Sequence, residues 1–141
     1  MAQTIDISEL DDFSKKLMQL ATQKMPKASQ KFLRQEGSKL AKITKQNARR
    51  SGVKKHTGQY IKSIKKGKVY KFDGKLSIRA YSTSPHAHLI EDGHRIVGKN
   101  GSNHGFKPGH HVFKRSLLQF RPQFLADCEE FFNDLLDKGL H

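Results

Sequence analysis

The sequence has a single cysteine, Cys128, and no long apolar run, and both shortages restrict the kind of protein it encodes. One cysteine cannot form a disulfide within the chain, so nothing demands an oxidising compartment. No stretch approaches the roughly 20 apolar residues that span a bilayer. Residues 1–10 are polar and acidic, unlike the basic start and apolar run of a signal peptide. We therefore expect a soluble protein that is made in a cytoplasm and has no membrane contact.

Acidic residues are scarce in the middle of the chain. Residues 27–71 contain fifteen Lys or Arg and one acid, Glu36, whereas the rest of the chain has twelve basic and twelve acidic residues. The whole net charge of +14 therefore lies in one third of the sequence. Such a concentrated basic region favours an anionic partner, which could be DNA, RNA or an acidic protein surface.

The length of 141 residues and the 35% hydrophobic share indicate one domain with one modest core. The patterns predict an α+β fold, in which a small antiparallel β-sheet packs with a long N-terminal helical region and a C-terminal helix. Within this single domain, 1–141, four segments are expected. They are a helical region at 1–50, a turn and small sheet at 51–97, a flexible loop at 98–112 and a C-terminal helical region at 113–141.

Two amphipathic helices are predicted in the first 50 residues. The first starts near Ser8, and Pro26 either ends it or starts the next. The second runs from about Lys27 to about Arg50. On the second helix, cations recur at steps of three, four and eight residues, so they share one face. We call these five residues the basic stripe: Lys31, Arg34, Lys42, Lys45 and Arg49. Lys54 and Lys55 extend it beyond the helix. The alternative interpretation is a solvated face that only keeps the protein soluble.

Residues 68–80 have the pattern of a β-hairpin. Apolar and charged residues alternate on both sides of Asp73-Gly74, a strong two-residue turn signal, so one face should be apolar and the other basic. Residues 85–94 then predict a short helix closed by Gly93. The segment 98–109 is rich in Gly, Asn, Ser and Lys, which indicates a mobile loop.

The last helix is predicted to start at Pro122, because proline suits the first turn of a helix. Its apolar side would be Phe124, Leu125, Cys128, Phe131, Phe132, Leu135 and Leu136. The acidic side would be Asp127, Glu130, Asp134 and Asp137. Lys138-Gly139 supplies the stop signal.

Six histidines within 26 residues raise the alternative of a metal-dependent nuclease: His86, His88, His94, His104, His110 and His111. Their spacing argues against it, since there is no H-E-x-x-H motif, no pair of cysteine ligands and no compact acid cluster for magnesium. Cys128 has a packing explanation and no activating cation nearby. We therefore predict no enzyme, no metal and no cofactor. A second alternative is a small basic module that binds nucleic acid through phosphate contacts, without reading sequence.

Two short motifs resemble a family of tailed-bacteriophage minor structural proteins, the tail-completion or head–tail joining proteins. One is the turn T-G-x-(L/Y)-x-x-S-(I/L), matched here by Thr57, Gly58, Tyr60, Ser63 and Ile64. The other is P-x-A-x-(L/Y)-(I/V)-E-x-G, matched by Pro85, Ala87, Leu89, Ile90, Glu91 and Gly93. The order of helices, small sheet, loop and C-terminal helix is also similar.

The resemblance implies a non-enzymatic phage or prophage protein in the virion neck, at the top of the tail, which acts as a ring with head–tail connector and tail tube proteins. It gives Thr57 and Gly58 the role of a structural turn. It makes Glu91 an anchor tied to backbone amides or a basic neighbour, with a tight turn at Gly93; the rival interpretation of Glu91 is a general base. A ring needs two complementary patches. Our hypothesis pairs the acidic face of the last helix with the basic stripe, so charge swaps at Lys42 and Lys45 should weaken assembly.

Overall fold

The computed structural model describes residues 2–5, 12–51, 57–72, 75–98, 100–101 and 103–138. The helices are α1 (Asp12–Lys24), α2 (Pro26–Arg50), α3 (Thr57–Ser63), α4 (Ala87–Asp92) and α5 (Val112–Asp137). The strands are β1 (Ala2–Ile5), β2 (Ile64–Lys66), β3 (Tyr70–Phe72), β4 (Lys75–Ser82), β5 (Gly93–Val97) and β6 (Asn103–Pro108).

The predicted α+β class is confirmed. Strand β4 lies at the centre of a small antiparallel sheet, with β1 on one side, β2 on the other, and β3 paired to its first residues. A separate two-stranded sheet is formed by β5 and β6. The core fills the space between the first sheet and helices α2 and α5.

Helix α2 confirms the second predicted helix almost to the residue, with Pro26 in its first turn. Its buried side includes Leu33 and Leu40, both 0% exposed. Gly37 allows α2 to approach β4 closely, since a methyl group there would lie 2.6 Å from Ile78 Cδ1. On its other flank α2 packs antiparallel to α5: Phe32 stacks on Phe131, and Asn47 donates a hydrogen bond to Ser116.

The predicted hairpin is confirmed as β3 and β4, in the register Tyr70↔Ser77 and Phe72↔Lys75. Its turn residues Asp73 and Gly74 lie outside the described residues. The expected alternation holds for Leu76, Ile78 and Ala80, which are buried. It fails at Ser77, which is 0% exposed, because β4 is covered more completely than a strand with one solvated face.

The predicted start of the last helix at Pro122 is wrong. Helix α5 begins at Val112 and carries Pro122 in its interior. A proline removes one helical hydrogen bond and costs about 3 kcal/mol there, but α5 buries large side chains on both sides of it, including Phe113 and Phe124. The carbonyl that loses its helical donor is that of Leu118, four residues before Pro122. Both residues are exposed, so this carbonyl can reach water.

Two leucines assigned to the apolar side of this helix are exposed. Leu125 is 37% exposed and Leu136 is 40% exposed, whereas Phe124, Cys128, Phe132 and Leu135 are buried as expected. The buried side of α5 is thus narrower than the apolar side that was predicted for this helix.

The predicted mobile loop at 98–109 is wrong for its second half. Residues 103–108 form β6 and pair with β5 in the register His94↔Lys107 and Arg95↔Phe106, with an irregularity between Arg95 and Val97. The pairing uses backbone hydrogen bonds, which the scarcity of apolar side chains in this segment does not prevent.

Strands β1 and β2 were not predicted from the sequence. Strand β1 pairs with β4 across more than 70 residues of chain, Gln3 facing Ala80. The start of the first helix near Ser8 lies outside the described residues, and α1 is described from Asp12. Within the described ranges, no helix has the length and apolarity required to cross a membrane.

Candidate functional site

The two sequence motifs lie next to each other in the fold. Helix α3 and the start of β2 carry the first, and α4 with Gly93 carries the second. They meet at the end of β4, where the Ser63 and Ser82 hydroxyls are 2.6 Å apart and the Thr83 amide donates to the Ser63 carbonyl at 3.1 Å. Tyr60 and Ala87 are each 1% exposed, so both motifs have a packing role.

Glu91 connects the second motif to the start of α5. Its carboxylate accepts hydrogen bonds from the backbone amides of Phe113 at 2.8 Å and Lys114 at 3.0 Å, and the side chain is buried. The first amides of a helix have no partner inside the helix, and the helix dipole favours a negative charge beside them. Glu91 thus acts on α5 as a capping residue supplied by another element. The alternative role of Glu91 as a general base needs a second acid or base beside it, and these two hydrogen bonds involve only backbone amides.

Gly93 and Gly109 allow the chain to pass close to itself beside Glu91. Gly93 has a φ of 88°, and a methyl group there would collide with the Lys107 carbonyl. One at Gly109 would collide with the Glu91 carbonyl. The amides of His110 and His111 donate to the carbonyls of Ile90 and Glu91 at 2.7 and 3.1 Å. These contacts fix where the β5–β6 hairpin leaves the body of the protein.

At Thr57-Gly58 the structure has the first turn of α3. Gly58 is exposed, and a methyl group there would have no atom within 4 Å. The side chain of Thr57 lies outside the described residues, so its hydroxyl cap stays a prediction.

A cavity of about 560 Å³ opens between the two motifs and the base of the hairpin. Its lining includes Tyr60, Leu89, Ile90, His94 and Lys107. Among the described residues, neither the Tyr60 hydroxyl nor His94 Nδ1 has a hydrogen-bond partner, although both atoms are buried. Burial, and next the negative charge of Glu91, raise the pKa of Tyr60.

The basic stripe is on the surface of α2, as predicted. Lys31, Arg34, Lys42 and Arg49 are exposed and Lys45 is half-buried. None of the five forms an ion pair with another described residue. Lys54 and Lys55 lie outside the described residues. The role of the stripe in binding a partner stays a prediction.

An acidic cleft of about 570 Å³ lies along the seam between α2 and α5. Its lining carries five carboxyl groups: Glu36, Asp127, Glu130, Asp134 and Asp137. Its aromatic part is the Phe32–Phe131 stack, whose ring centroids are 4.4 Å apart. Lys39 also lines the cleft and donates to Asp127 at 2.8 Å and to Glu36 at 3.4 Å.

Glu36 is the least expected group in this cleft. It is 1% exposed, and its Oε2 has no hydrogen-bond partner within the described part of the chain. Burial raises its pKa from 4.5 to about 8; the neighbouring carboxyl of Asp127 adds to the shift through a hydrogen bond and its charge, and Lys39 opposes it. The Lys39 contact is too weak to offset burial, so the neutral form predominates at pH 7. In that form the Glu36 hydroxyl can donate to Asp127.

The histidines are dispersed around the hairpin. His86 and His88 are exposed, while His94, His110 and His111 are half-buried. The side chain of His104 lies outside the described residues. Over the ranges that the structure describes, no three His, Cys, Asp or Glu residues are grouped in a way that could hold a metal ion.

Cys128 is buried on the core side of α5. Burial raises the pKa of its thiol to about 12, and the charges of Glu36 and Asp127 add to the shift. The thiol therefore stays protonated near neutral pH, where a protonated thiol is a poor nucleophile.

Neither the cleft nor the exposed hairpin was predicted from the sequence. The one available signal for the cleft was Glu36, the single acid in a stretch of fifteen cations. A lone acid of this kind can be a surface residue or a buried one, and only the packing of α2 on α5 distinguishes the two.

Fold and surfaces together define a small basic α+β protein whose surface carries a basic stripe, an acidic cleft and an exposed hairpin. Residues 11–93 match the model of the HK97-gp10-like family, described as "Bacteriophage HK97-gp10, putative tail-component". The chain belongs to this family of phage tail components, which confirms the resemblance carried by the two motifs. The match covers α1 to α4 and ends at Gly93. Comparisons with curated proteins and with solved structures gave no significant match.

Proposed function

We propose that this protein completes the phage tail at the head–tail junction, as a non-enzymatic subunit of a ring. The observation that carries the proposal is the family match over 11–93, which contains both motifs and the basic stripe. In this role the protein resides in the virion neck and contacts the head–tail connector and the tail tube.

Ring formation is supported by the segregation of charge. A closed ring needs head-to-tail contacts between two different, complementary surfaces of each subunit. The exposed cations of α2 and the carboxyl groups along α5 provide surfaces of opposite sign. The basic stripe, which has no ion-pair partner among the described residues, is free to face an anionic neighbour or the phosphates of DNA that passes the junction.

Quantitative mass spectrometry of purified phage particles tests this proposal. We expect the chain at a low, fixed copy number per particle, equal to that of a ring, when tail tube and major capsid proteins serve as internal standards. Absence of the chain from intact particles that contain the other tail proteins would refute the structural role.

The second candidate, a DNA-binding module, is favoured by the same exposed stripe. Salt-sensitive retention of duplex DNA by the monomer, together with absence from particles, would select it.

A further inference from the structure

The β5–β6 hairpin presents apolar and cationic side chains together. Phe106 is 62% exposed and Ile96 is 41% exposed, the former being the most exposed large apolar side chain among the described residues. Arg95 pairs with Phe106 and shares its face of the hairpin, whereas Lys107 pairs with His94 and belongs to the opposite face. Both cations are exposed and form no ion pair with another described residue. A two-stranded hairpin is marginally stable in water by itself, so covering this surface would stabilise it.

The acidic cleft has the complementary chemistry. Its lining combines the Phe32–Phe131 stack with five carboxyl groups and the cation Lys39. Asp127 accepts from Lys39 and Asp134 accepts from Lys138, which leaves Glu130 and Asp137 without an ion pair to another described residue. Glu130, Asp134 and Asp137 are exposed. Exposed carboxylates beside an aromatic surface favour a ligand that carries N–H donors and apolar surface.

A subunit cannot fill its own cleft. The hairpin leaves the body beside Glu91, at the first turn of α5, whereas the cleft lies at 127–137 near the other end of that helix. At about 1.5 Å per residue, the two are separated by roughly 20–35 Å along α5. The donor surface and the acceptor surface thus lie at opposite ends of one molecule, which is the arrangement of a head-to-tail contact.

We infer that the acidic cleft of each subunit receives the β5–β6 hairpin of a second copy of this chain. Arg95 faces the carboxylates of the cleft, and Phe106, on the same face of the hairpin, covers its aromatic part. The positive charge of Lys107, on the other face, adds to the attraction. The inference rests on the proposed ring and names the contact that repeats around it.

The hairpin suits the cleft better than the basic stripe does. The stripe supplies only cations, because none of the large apolar side chains that are exposed among the described residues belongs to α2. The hairpin supplies both cations and an aromatic ring. The stripe then remains available for another anionic partner.

Charge-reversal variants of the full chain test this contact, with self-association measured by sedimentation equilibrium. One variant reverses the hairpin, Arg95→Glu with Lys107→Glu, and another reverses the cleft, Glu130→Lys with Asp134→Lys. Each alone should weaken self-association about tenfold or more, because like charges then face each other. An equimolar mixture should recover association, since each reversed surface finds its complement on the other variant.

Two controls separate this contact from alternatives. Reversal of the stripe, Lys42→Glu with Lys45→Glu, distinguishes the two possible occupants of the cleft. It should leave self-association unchanged when the hairpin fills the cleft, whereas the pairing of the stripe with the acidic face of α5 predicts that it weakens. Phe106→Ala should weaken it, whereas Leu118→Ala, which truncates another exposed apolar side chain, should not. Thermal unfolding of every variant checks that the fold is retained.

Each contrary result has a distinct meaning. Recovery on mixing the cleft variant with the stripe variant would identify the stripe as the occupant and overturn the inference. Self-association that is unchanged in both the hairpin variant and the cleft variant would also overturn it. A wild-type chain that stays monomeric at its highest soluble concentration would do the same. The proposed role in the tail depends instead on the copy number in particles, so the two failures are distinguishable.

Discussion

Glu91 shows how one buried carboxylate can define where a helix begins. It lies on α4, twenty-two residues before Phe113, yet it accepts the amide hydrogen of Phe113 at the start of α5. The motif that contains it predicted an anchor from the resemblance alone, and the contacts identify the group that an anchor would hold.

Glu91→Ala should therefore destabilise the protein. The change leaves the Phe113 amide buried without its acceptor, which costs about 2 kcal/mol when the lost hydrogen bonds involve a charged group. Denaturant unfolding measures the loss, and Glu129→Ala, at an exposed position of α5, is the matched control. Equal stabilities of the two variants would contradict the anchoring role.

The raised pKa of Glu36 predicts how the free energy of unfolding depends on pH. Its pKa in the folded protein is raised to about 8 from 4.5. Below pH 4.5 the folded and unfolded chains both hold the proton; between pH 4.5 and 8 the unfolded chain releases it and the folded chain keeps it. This group therefore lowers stability as pH rises, by at most about 1.4 kcal/mol per pH unit, until the folded protein also ionises near pH 8.

Glu36→Gln should remove this decline. The variant should be more stable than the wild type at pH 9, and the gain should vanish near pH 4. Urea unfolding across this range gives the two profiles, with Glu129→Gln as the control for loss of an exposed charge. If the Glu36→Gln profile stayed parallel to that of the wild type, Glu36 would be ionised in the folded protein at neutral pH.

At the scale of elements, the close approach of α2 to β4 depends on the lack of a side chain at Gly37. A methyl group there would lie 2.6 Å from Ile78 Cδ1 and 3.1 Å from Lys66 Cγ. Ile78 is 0% exposed and has little room to move.

Gly37→Ala should destabilise the protein by about 1 kcal/mol or more, because overpacking outweighs the gain in helix propensity. Gly58→Ala, the same exchange in α3 where nothing lies within 4 Å, should keep the gain and be neutral or stabilising. Adding Ile78→Val to Gly37→Ala removes Cδ1 and should recover part of the loss. Additive effects of Gly37→Ala and Ile78→Val, measured by denaturant unfolding, would show that the two sites do not touch.

At the scale of the whole molecule, the net charge of +14 lies in residues 27–71, and eight of the fifteen cations there belong to α2, including the exposed ones of the basic stripe. We expect this surface to hold DNA through phosphate contacts, with retention that weakens as salt rises.

Lys42→Gln with Lys45→Gln should weaken retention of duplex DNA and lower the slope of log affinity against log salt by about two. Lys16→Gln with Lys114→Gln removes the same charge at exposed positions outside the stripe and should have a smaller effect. Equal losses in the two double variants would mean that net charge, and not the stripe, governs binding.

The sequence by itself determined the features that depend on near neighbours. Periodicity along the chain predicted α2 and its basic stripe, and alternation about Asp73-Gly74 predicted the β3–β4 pair. Both patterns repeat within a few residues, so local geometry decides which side chains share a face. The two motifs also sufficed to indicate the family.

Only the tertiary structure decided which distant segments meet. The pairing of β1 with β4, the course of α5 through Pro122 and the burial of Glu36 each depend on contacts between residues far apart in sequence. The same holds for β6, whose polar residues resemble a loop until β5 supplies hydrogen-bond partners for its backbone. The cleft and the hairpin surface are products of this packing: their side chains come from several elements, and no local pattern records that these lie together.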